Sequence, residues 1–212
     1  MKRALLLIDI QKDFCKGGAL AVPNGDEVVP IANAMISLFT ERNEMVIATQ
    51  DWHPANHGSF AANHPENKLF DLIDLNGLKQ VLWPTHCVEN TTGAEFHDDL
   101  LPIPNVFCKG EDPTVDSYSG FFDNGKRNKT QLDDFLKENE ITDLFIMGLA
   151  TDYCVKFTAL DAVELGYRVH LIATGCQGVN LNNNDVGNAI LDMTKHGVVI
   201  TNHEVLIQFK GI

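Results

Sequence analysis

Cys154 follows an apolar, strand-like run and a glycine, and it lies near the start of a segment with helical periodicity. The thiolate is the nucleophilic form of cysteine, and unpaired N–H groups in the first turn of a helix favour it. Taken alone, such a residue is more often a buried packing cysteine, because free cysteine behaves as a small hydrophobe. Its role therefore depends on the residues beside it.

Asp9 and Lys109 each follow a short apolar run that predicts a β-strand. A carboxylate beside a hydrophobic strand can exchange protons near neutral pH, and a lysine there can stabilise a thiolate. Each residue alone equally fits a capping or solvated strand-end role. If the strands are parallel, Asp9, Lys109 and Cys154 meet in one crevice at the carboxyl edge of the sheet.

A second group of polar residues predicts a metal site. Asp51 and His53 are two positions apart at a strand end, and a carboxylate with an imidazole suits Zn, Fe or Mn. His86 is the first choice for a third ligand and His57 the second. A lone Asp-x-His match equally describes loop residues that only form hydrogen bonds. The other histidines have no partner at ligand spacing and are expected to be surface or packing residues: His64, His97, His170, His196 and His203.

Short apolar runs alternate with helical segments, a pattern typical of a parallel sheet with crossover helices. The predicted strands span residues 4–8, 45–49, 105–108, 144–147, 168–173 and 198–201. The predicted helices span residues 28–41, 130–138, 151–165 and 185–195. Residues 51–104 form a long connection that is expected to be irregular and, as such connections usually do in α/β domains, to carry function.

Composition fits a single α/β domain over residues 1–212, since 44% of the residues are hydrophobic and 21% are charged. The formal net charge of −13 argues against a nucleic-acid partner and suits a neutral or cationic small molecule. No run is long enough to span a bilayer and no secretory start is evident, so we expect a cytoplasmic location. The five cysteines form no CxxC pair and are expected to be free thiols. The oligomeric state stays open.

Several segments, taken together and in order, resemble the nicotinamidase (pyrazinamidase) family of isochorismatase-like cysteine hydrolases. They are IDIQKDF at 8–14, DWHP at 51–54, WPTHCV at 83–88, CKG at 108–110, YSGF at 118–121 and GLATDYC at 148–154. The segments with Asp9, Lys109 and Cys154 suggest the wider superfamily, whereas Asp51-x-His53 with a later histidine resembles the nicotinamidase metal site. The resemblance implies a three-layer α/β/α fold with a six-stranded parallel sheet.

The resemblance also implies an activity: hydrolysis of nicotinamide to nicotinate and ammonia through a thioester on Cys154, in NAD salvage. Pyrazinamide is an expected further substrate. Asp9 would carry protons between the reacting groups, and Lys109 would balance their charge. The backbone N–H groups of Ala150 and Cys154 would form an oxyanion hole, with a cis peptide between Leu149 and Ala150.

By the same resemblance, one divalent ion (Zn, Fe or Mn) would bind to Asp51, His53 and His86. It would position the pyridine nitrogen of the substrate rather than activate water. Aromatic side chains would enclose the ring, although each fits ordinary core packing equally well. These aromatic residues are Phe14, Trp83 and Tyr118.

Three alternatives stay open at this point. A metal-free amidohydrolase of the same superfamily would act on a carbamoyl or ureido substrate. A metal hydrolase would use the Asp and His residues of the metal group to activate water and would leave Cys154 structural. A non-enzymatic protein that binds a small ligand or a metal would keep the fold without the activity.

Overall fold

Eight strands are present in the computed structural model of the protein, which describes residues 2–208. In chain order they are β1 (Arg3–Ile8), β2 (Met45–Asp51), β3 (Leu72–Leu75), β4 (Leu78–Val81), β5 (Asn105–Lys109), β6 (Asp143–Leu149), β7 (Arg168–Gln177) and β8 (Val199–Thr201). Six of them form one parallel sheet in the order β5-β2-β1-β6-β7-β8, and β3 and β4 form a separate antiparallel hairpin. The six predicted strands are confirmed.

Helices cover the sheet and complete the three-layer α/β/α fold. They are α1 (Val28–Glu41), α2 (Leu132–Glu138), α3 (Lys156–Glu164), α4 (Asp185–Lys195) and α5 (His203–Gln208). Helix α1 packs with α5, and α3 packs with α4. Since α1 and α3 connect strands in opposite directions along the sheet, right-handed crossovers place them on opposite faces. Within residues 2–208, no helix has the length and apolarity needed to cross a bilayer.

The two central strands form the middle of the core. Side chains of residues 4–8 in β1 are buried, and so is every residue of β6, as expected for parallel strands covered on both faces. Gly148, near the end of β6, has φ +130°, and a Cβ there would lie 2.1 Å from the Ile8 carbonyl oxygen. Glycine therefore allows β6 to pass close to β1 at the edge where the chemistry is expected.

The chain leaves β1 toward β2 on one side and leaves β6 toward β7 on the other. This reversal creates a crevice between the carboxyl ends of β1 and β6, the usual ligand position in such sheets. The topology thus directs the loops after β1, β2, β5 and β6 to one place.

Two segments differ from the sequence prediction. The predicted helix over 151–165 begins as a wider π-helical turn, Thr151–Val155, and becomes α-helical only at Lys156. The connection over 51–104, which was expected to be irregular, contains the β3–β4 hairpin. Asn76 and Gly77 both adopt positive φ at its turn, and an Asn-Gly pair between apolar residues is a strong sequence signal for a hairpin.

Candidate active site

Asp9, Lys109 and Cys154 meet at the carboxyl edge of the sheet. The Nζ atom of Lys109 lies 3.0 Å from Asp9 Oδ2 and 3.4 Å from Cys154 Sγ. Ligand atoms of Asp9 and Cys154 lie within 4.8 Å of each other. Asp9 and Lys109 are fully enclosed behind Cys154, which itself lines a cavity. The structure therefore brings together the three residues predicted to be catalytic.

Asp9 has the surroundings of a proton acceptor. Its Oδ1 accepts a hydrogen bond of 2.6 Å from the Thr49 hydroxyl, while Oδ2 has no well-oriented donor among residues 2–208. Burial raises the pKa of Asp9 to about 6; the Lys109 ammonium opposes this shift and the Asp51 carboxylate adds to it. At neutral pH, Asp9 is thus an ionised carboxylate whose pKa is close to the working pH of a general base.

Cys154 is a thiol at rest rather than the thiolate that its helical position suggests. Burial raises the pKa of Cys154 well above its usual value, and only Lys109 lowers it, while Asp9 and Asp51 raise it further. The start of the helix does not stabilise the thiolate enough to ionise Cys154, because the buried carboxylates of Asp9 and Asp51 oppose a third negative charge on its sulfur. A nucleophile at this position must therefore lose its proton during the reaction, and Asp9 is the neighbouring acceptor.

Asp51 connects this group to the histidines. Its Oδ1 lies 2.5 Å from Lys109 Nζ, and its Oδ2 lies 3.7 Å from His53 Nε2 and 4.0 Å from His86 Nε2. Burial opposes ionisation of Asp51, but Lys109 and His53 outweigh it and hold the pKa of the carboxyl group well below its ordinary range. Lys109 stays charged, because Asp51 and Asp9 outweigh burial and raise its pKa.

The two histidines are oriented as metal ligands. The Nδ1 atom of His53 lies 2.8 Å from the Gly110 carbonyl oxygen, and the Nδ1 atom of His86 lies 2.7 Å from the Pro84 carbonyl oxygen. Each carbonyl accepts a hydrogen bond from a protonated Nδ1 and so leaves the lone pair of Nε2 free to bind a metal, an arrangement common for metal-binding histidines. Ligand atoms of Asp51, His53 and His86 lie within 4.8 Å of one another, so the donor set fits a divalent ion.

The orientation of His53 depends on a glycine. Gly110 has φ +72°, and a Cβ at this position would lie 2.3 Å from His53 Cε1. The chain after β5 therefore supplies both Lys109, through its side chain, and the carbonyl that fixes His53. Glycine adopts this left-handed conformation without strain, and its lack of a Cβ leaves room for the imidazole.

His57 lies beside His53, with ring centroids 4.4 Å apart. Its Nδ1 contacts Ser59 Oγ at 2.7 Å, and its Nε2 has no hydrogen-bond partner in the described part of the chain. The ligand atoms of His57 group with those of His53 and Asp116, not with those of Asp51 and His86. The second choice for the third ligand thus lies next to the predicted group without joining it.

Aromatic side chains enclose the cavity in front of Cys154. The Tyr118 hydroxyl accepts hydrogen bonds of 3.1 Å from Trp83 Nε1 and from Gln80 Nε2. Phe14 packs on His86 with ring centroids 5.5 Å apart. All three predicted aromatic residues, Phe14, Trp83 and Tyr118, therefore line the same cavity as Cys154 and the metal group.

Four further residues line the cavity and are absent from the sequence prediction: Leu20, Asp116, Tyr153 and Val179. Tyr153 precedes Cys154 directly, and Asp116 lies two positions before Tyr118. Their closeness in the sequence to predicted site residues is the one signal that could have identified them. Leu20 and Val179 are apolar residues in loops, and their types carry no chemical signal. They reach the cavity only through the fold.

Ala150 and Cys154, the predicted oxyanion-hole residues, both line the cavity. The peptide bond between Leu149 and Ala150 is cis, as the family resemblance implies. The role of their N–H groups stays a prediction. A larger cavity of about 470 Å³ lies along β5, but Cys154, His53 and His86 do not line it.

Known proteins resemble this chain in sequence and in fold. The Isochorismatase domain model matches residues 3–205. The nicotinamidase of Escherichia coli (strain K12) is 56% identical over 200 residues, which cover 93% of each chain. A structure of the nicotinamidase/pyrazinamidase of Acinetobacter baumanii aligns with TM-score 0.92 at 41% identity and covers 97% of this chain and 98% of its own. Pyrazinamidase of Pyrococcus horikoshii, solved in complex with zinc, aligns with TM-score 0.79 at 37% identity over 95% and 99% of the two chains.

The fold and the site together define a class of protein: an α/β/α sandwich with cysteine, lysine and aspartate at the carboxyl edge of its parallel sheet. The chain belongs to the isochorismatase family.

Proposed function

We propose that the protein hydrolyses nicotinamide to nicotinate and ammonia, with Cys154 as the nucleophile. One observation carries the proposal: Cys154 lines the same cavity as Asp51, His53 and His86. A thiol and a set of metal ligands that line one aromatic-walled cavity suit a substrate that carries both a carboxamide and a metal-binding ring nitrogen. Two of the relatives named above are nicotinamidases by name.

In the first half-reaction, Cys154 Sγ attacks the carboxamide carbon while its proton passes to Asp9. The new C–S bond places the carbonyl electron pair on oxygen, where the N–H groups of Ala150 and Cys154 would stabilise it. The C–N bond then breaks, the nitrogen takes the proton from Asp9, and ammonia leaves a thioester on Cys154.

In the second half-reaction, water attacks the thioester carbon and Asp9 takes its proton. The C–S bond breaks, the sulfur recovers a proton from Asp9, and the product leaves as the carboxylic acid, which gives its remaining proton to solvent and becomes nicotinate. Lys109 keeps its charge throughout and lies 3.0 Å from Asp9 Oδ2 and 3.4 Å from Cys154 Sγ. It therefore offsets the negative charge wherever the proton is missing.

Asp51, His53 and His86 would hold one divalent ion. When bound, such an ion supplies a Lewis-acid contact that orients the pyridine nitrogen. The set of one carboxylate and two imidazoles accepts Zn, Fe or Mn, so we leave the native ion among these three. The aromatic residues Phe14, Trp83 and Tyr118 would hold the ring and exclude water.

Ammonia release from nicotinamide by the purified protein, measured beside Cys154→Ala, tests the proposal. We expect turnover by the parent and a loss of at least about 10³-fold in the variant. Turnover that persists in Cys154→Ala would instead favour a metal hydrolase with a structural cysteine. No turnover of nicotinamide, with hydrolysis of a ureido or carbamoyl compound, would favour the metal-free alternative.

The proposal extends to a second substrate and to the location of the protein in the cell. Pyrazinamide keeps the carboxamide and a ring nitrogen in the same relative positions, so we expect it to be hydrolysed as well. The only partner that the proposal requires is this small molecule. The cytoplasmic location stays a prediction, which fractionation of the native cells tests.

A further inference from the structure

A second group of cysteine, aspartate and histidine side chains lies away from the Cys154 cavity. Ligand atoms of Cys15, Asp26 and His97 all lie within 4.8 Å of one another, and His97 Nε2 is 3.5 Å from Asp26 Oδ1. Cys15 and Asp26 lie in the connection between β1 and α1, eleven positions apart, and His97 lies in the connection between β4 and β5. His97 has no partner at ligand spacing in the sequence, but the fold brings Cys15 and Asp26 close to it.

The residue types form a donor set that suits zinc. A thiolate, an imidazole and a carboxylate are the protein ligands that Zn²⁺ prefers, and three of them leave one position for water. Cys15 is almost completely buried, whereas the side chains of His97 and Asp26 are 20% and 43% exposed. An ion could therefore approach from solvent and contact the buried sulfur from one side.

The surroundings leave an entry route. A cavity of about 360 Å³ is lined by Cys15 and His97. Lys12 also lines it, but its ammonium is paired with Glu95 at 2.9 Å and Asp98 at 2.6 Å. The positive charge of Lys12 is thus compensated. Lys16 also lines the cavity but is exposed, so solvent and salt screen its charge.

The hydrogen bonds at the group adapt to a metal at small cost. The Lys16 N–H donates to Asp26 Oδ2 at 2.9 Å, which fixes the carboxylate and leaves Oδ1 toward His97. The exposed Asp99 N–H donates to His97 Nδ1 at 3.2 Å. Metal binding at Nε2 requires the opposite tautomer, so it gives up this one long contact to solvent. Burial, and then Asp26, raise the pKa of Cys15 to about 11, so an incoming ion displaces a thiol proton.

We propose that Cys15, Asp26 and His97 form a second, peripheral site for a divalent zinc-type ion, separate from the Asp51 group. Its two ends, Cys15 and Asp26, enclose the loop that carries Leu20, a wall of the Cys154 cavity. An ion at this site joins both ends of that loop to His97 and restricts its motion. The inference stands independently of nicotinamide hydrolysis, because it concerns metal binding alone.

Metal binding is tested on the intact protein with Co²⁺ and Zn²⁺ as probes. A thiolate bound to Co²⁺ gives an intense near-ultraviolet charge-transfer band that carboxylate and imidazole ligands do not give. We expect this band in the parent and in Cys154→Ala, and its loss in Cys15→Ser. The control is Cys108→Ser, which removes a half-buried thiol that belongs to none of the ligand groups found among residues 2–208.

Zinc content after equilibrium dialysis gives the second measurement. Cys15→Ser and His97→Gln should each bind one equivalent less than the parent, while His196→Gln, on an exposed helix end, should bind as much as the parent. His97→Gln keeps a partly exposed polar side chain, so it tests the site even if Cys15→Ser folds poorly. A charge-transfer band that survives in Cys15→Ser, or equal zinc content in the parent and His97→Gln, would overturn the proposal.

Discussion

Asp51 and Lys109 form a buried ion pair, with 2.5 Å between carboxylate Oδ1 and ammonium Nζ. Through this pair, the proposed metal ligands and the proposed catalytic group share one charge network, because Asp51 also faces His53 and His86. Two carboxylates, Asp9 and Asp51, depend on one cation for compensation. The consequences can be measured by removing one member at a time.

Lys109→Met is the most direct test of this network. The variant keeps an unbranched side chain, one atom shorter than lysine, but leaves Asp9 and Asp51 as buried carboxylates without a cation. Removing one partner of a buried pair costs about 3–5 kcal/mol, so we expect a loss of this order in the free energy of unfolding, measured by urea denaturation. Lys129→Met removes a solvent-exposed partner of Asp134 and should leave stability unchanged within error. Equal stability of the two variants would show that the network is unimportant.

The pH dependence of turnover tests Asp9 as the base. Its pKa is raised to about 6, and the proposed base must be ionised to take the thiol proton. As pH falls through about 6, kcat/KM for nicotinamide should therefore fall, approaching tenfold per pH unit below it. An ordinary aspartate would place this decline near pH 4. Asp9→Asn should lower kcat/KM by about 10²–10⁴-fold above pH 6 and abolish this decline. A parental profile that stays flat down to pH 4.5 would exclude Asp9 from the proton transfer.

A comparison of two substrates shows whether the metal ion only positions the substrate or also takes part in the chemical step. Benzamide has the carboxamide of nicotinamide but lacks the ring nitrogen. If the ion at Asp51, His53 and His86 only orients that nitrogen, chelation or His86→Ala should lower kcat/KM for nicotinamide by about 10²-fold and barely change it for benzamide. His196→Ala, whose side chain is 59% exposed, is the control. An equal loss for both substrates would mean that the ion takes part in the chemical step.

Much of the site follows from the sequence because its residues stand at strand ends. Parallel strands with right-handed crossovers have their carboxyl ends at one edge, so Asp9, Asp51 and Lys109 can be brought together from the strand pattern alone. The ionisation of Cys154 does not follow, because it depends on buried charges that come from three other strands or loops. Proximity between His97 and Cys15 is likewise a product of loop packing that residue spacing does not encode.

The β3–β4 hairpin differs from the Cys15–His97 pair, because a short stretch of the sequence is enough to predict it. Asn76-Gly77 between apolar runs predicts β3 and β4, but the surrounding histidines and prolines favour an irregular connection. The contact that the hairpin makes is not local: Gln80 of β4 donates to Asp116 Oδ2 at 2.9 Å and to Tyr118 at 3.1 Å. Its contribution to the cavity wall could therefore be recognised only in the folded chain.

Gly110 and Gly77 offer a matched pair that isolates the support of His53. Both have positive φ, +72° and +85°, but a Cβ at Gly110 would lie 2.3 Å from His53 Cε1, whereas Gly77 has nothing within 4 Å. Alanine at either position should cost about 1–2 kcal/mol of stability from the left-handed backbone. Only Gly110→Ala should also displace the imidazole, so we expect it to lose bound metal and nicotinamide turnover while Gly77→Ala keeps both.

Metal content after dialysis, together with kcat/KM for nicotinamide and for benzamide, distinguishes the two effects of Gly110→Ala. Displacement of His53 should reduce metal content and the preference for nicotinamide over benzamide together, because the ring nitrogen loses its partner. A variant that is merely less stable would keep parental metal content and preference at a temperature where it is folded. Since the backbone strain is the same in Gly77→Ala, any difference between the two variants is due to the contact with His53.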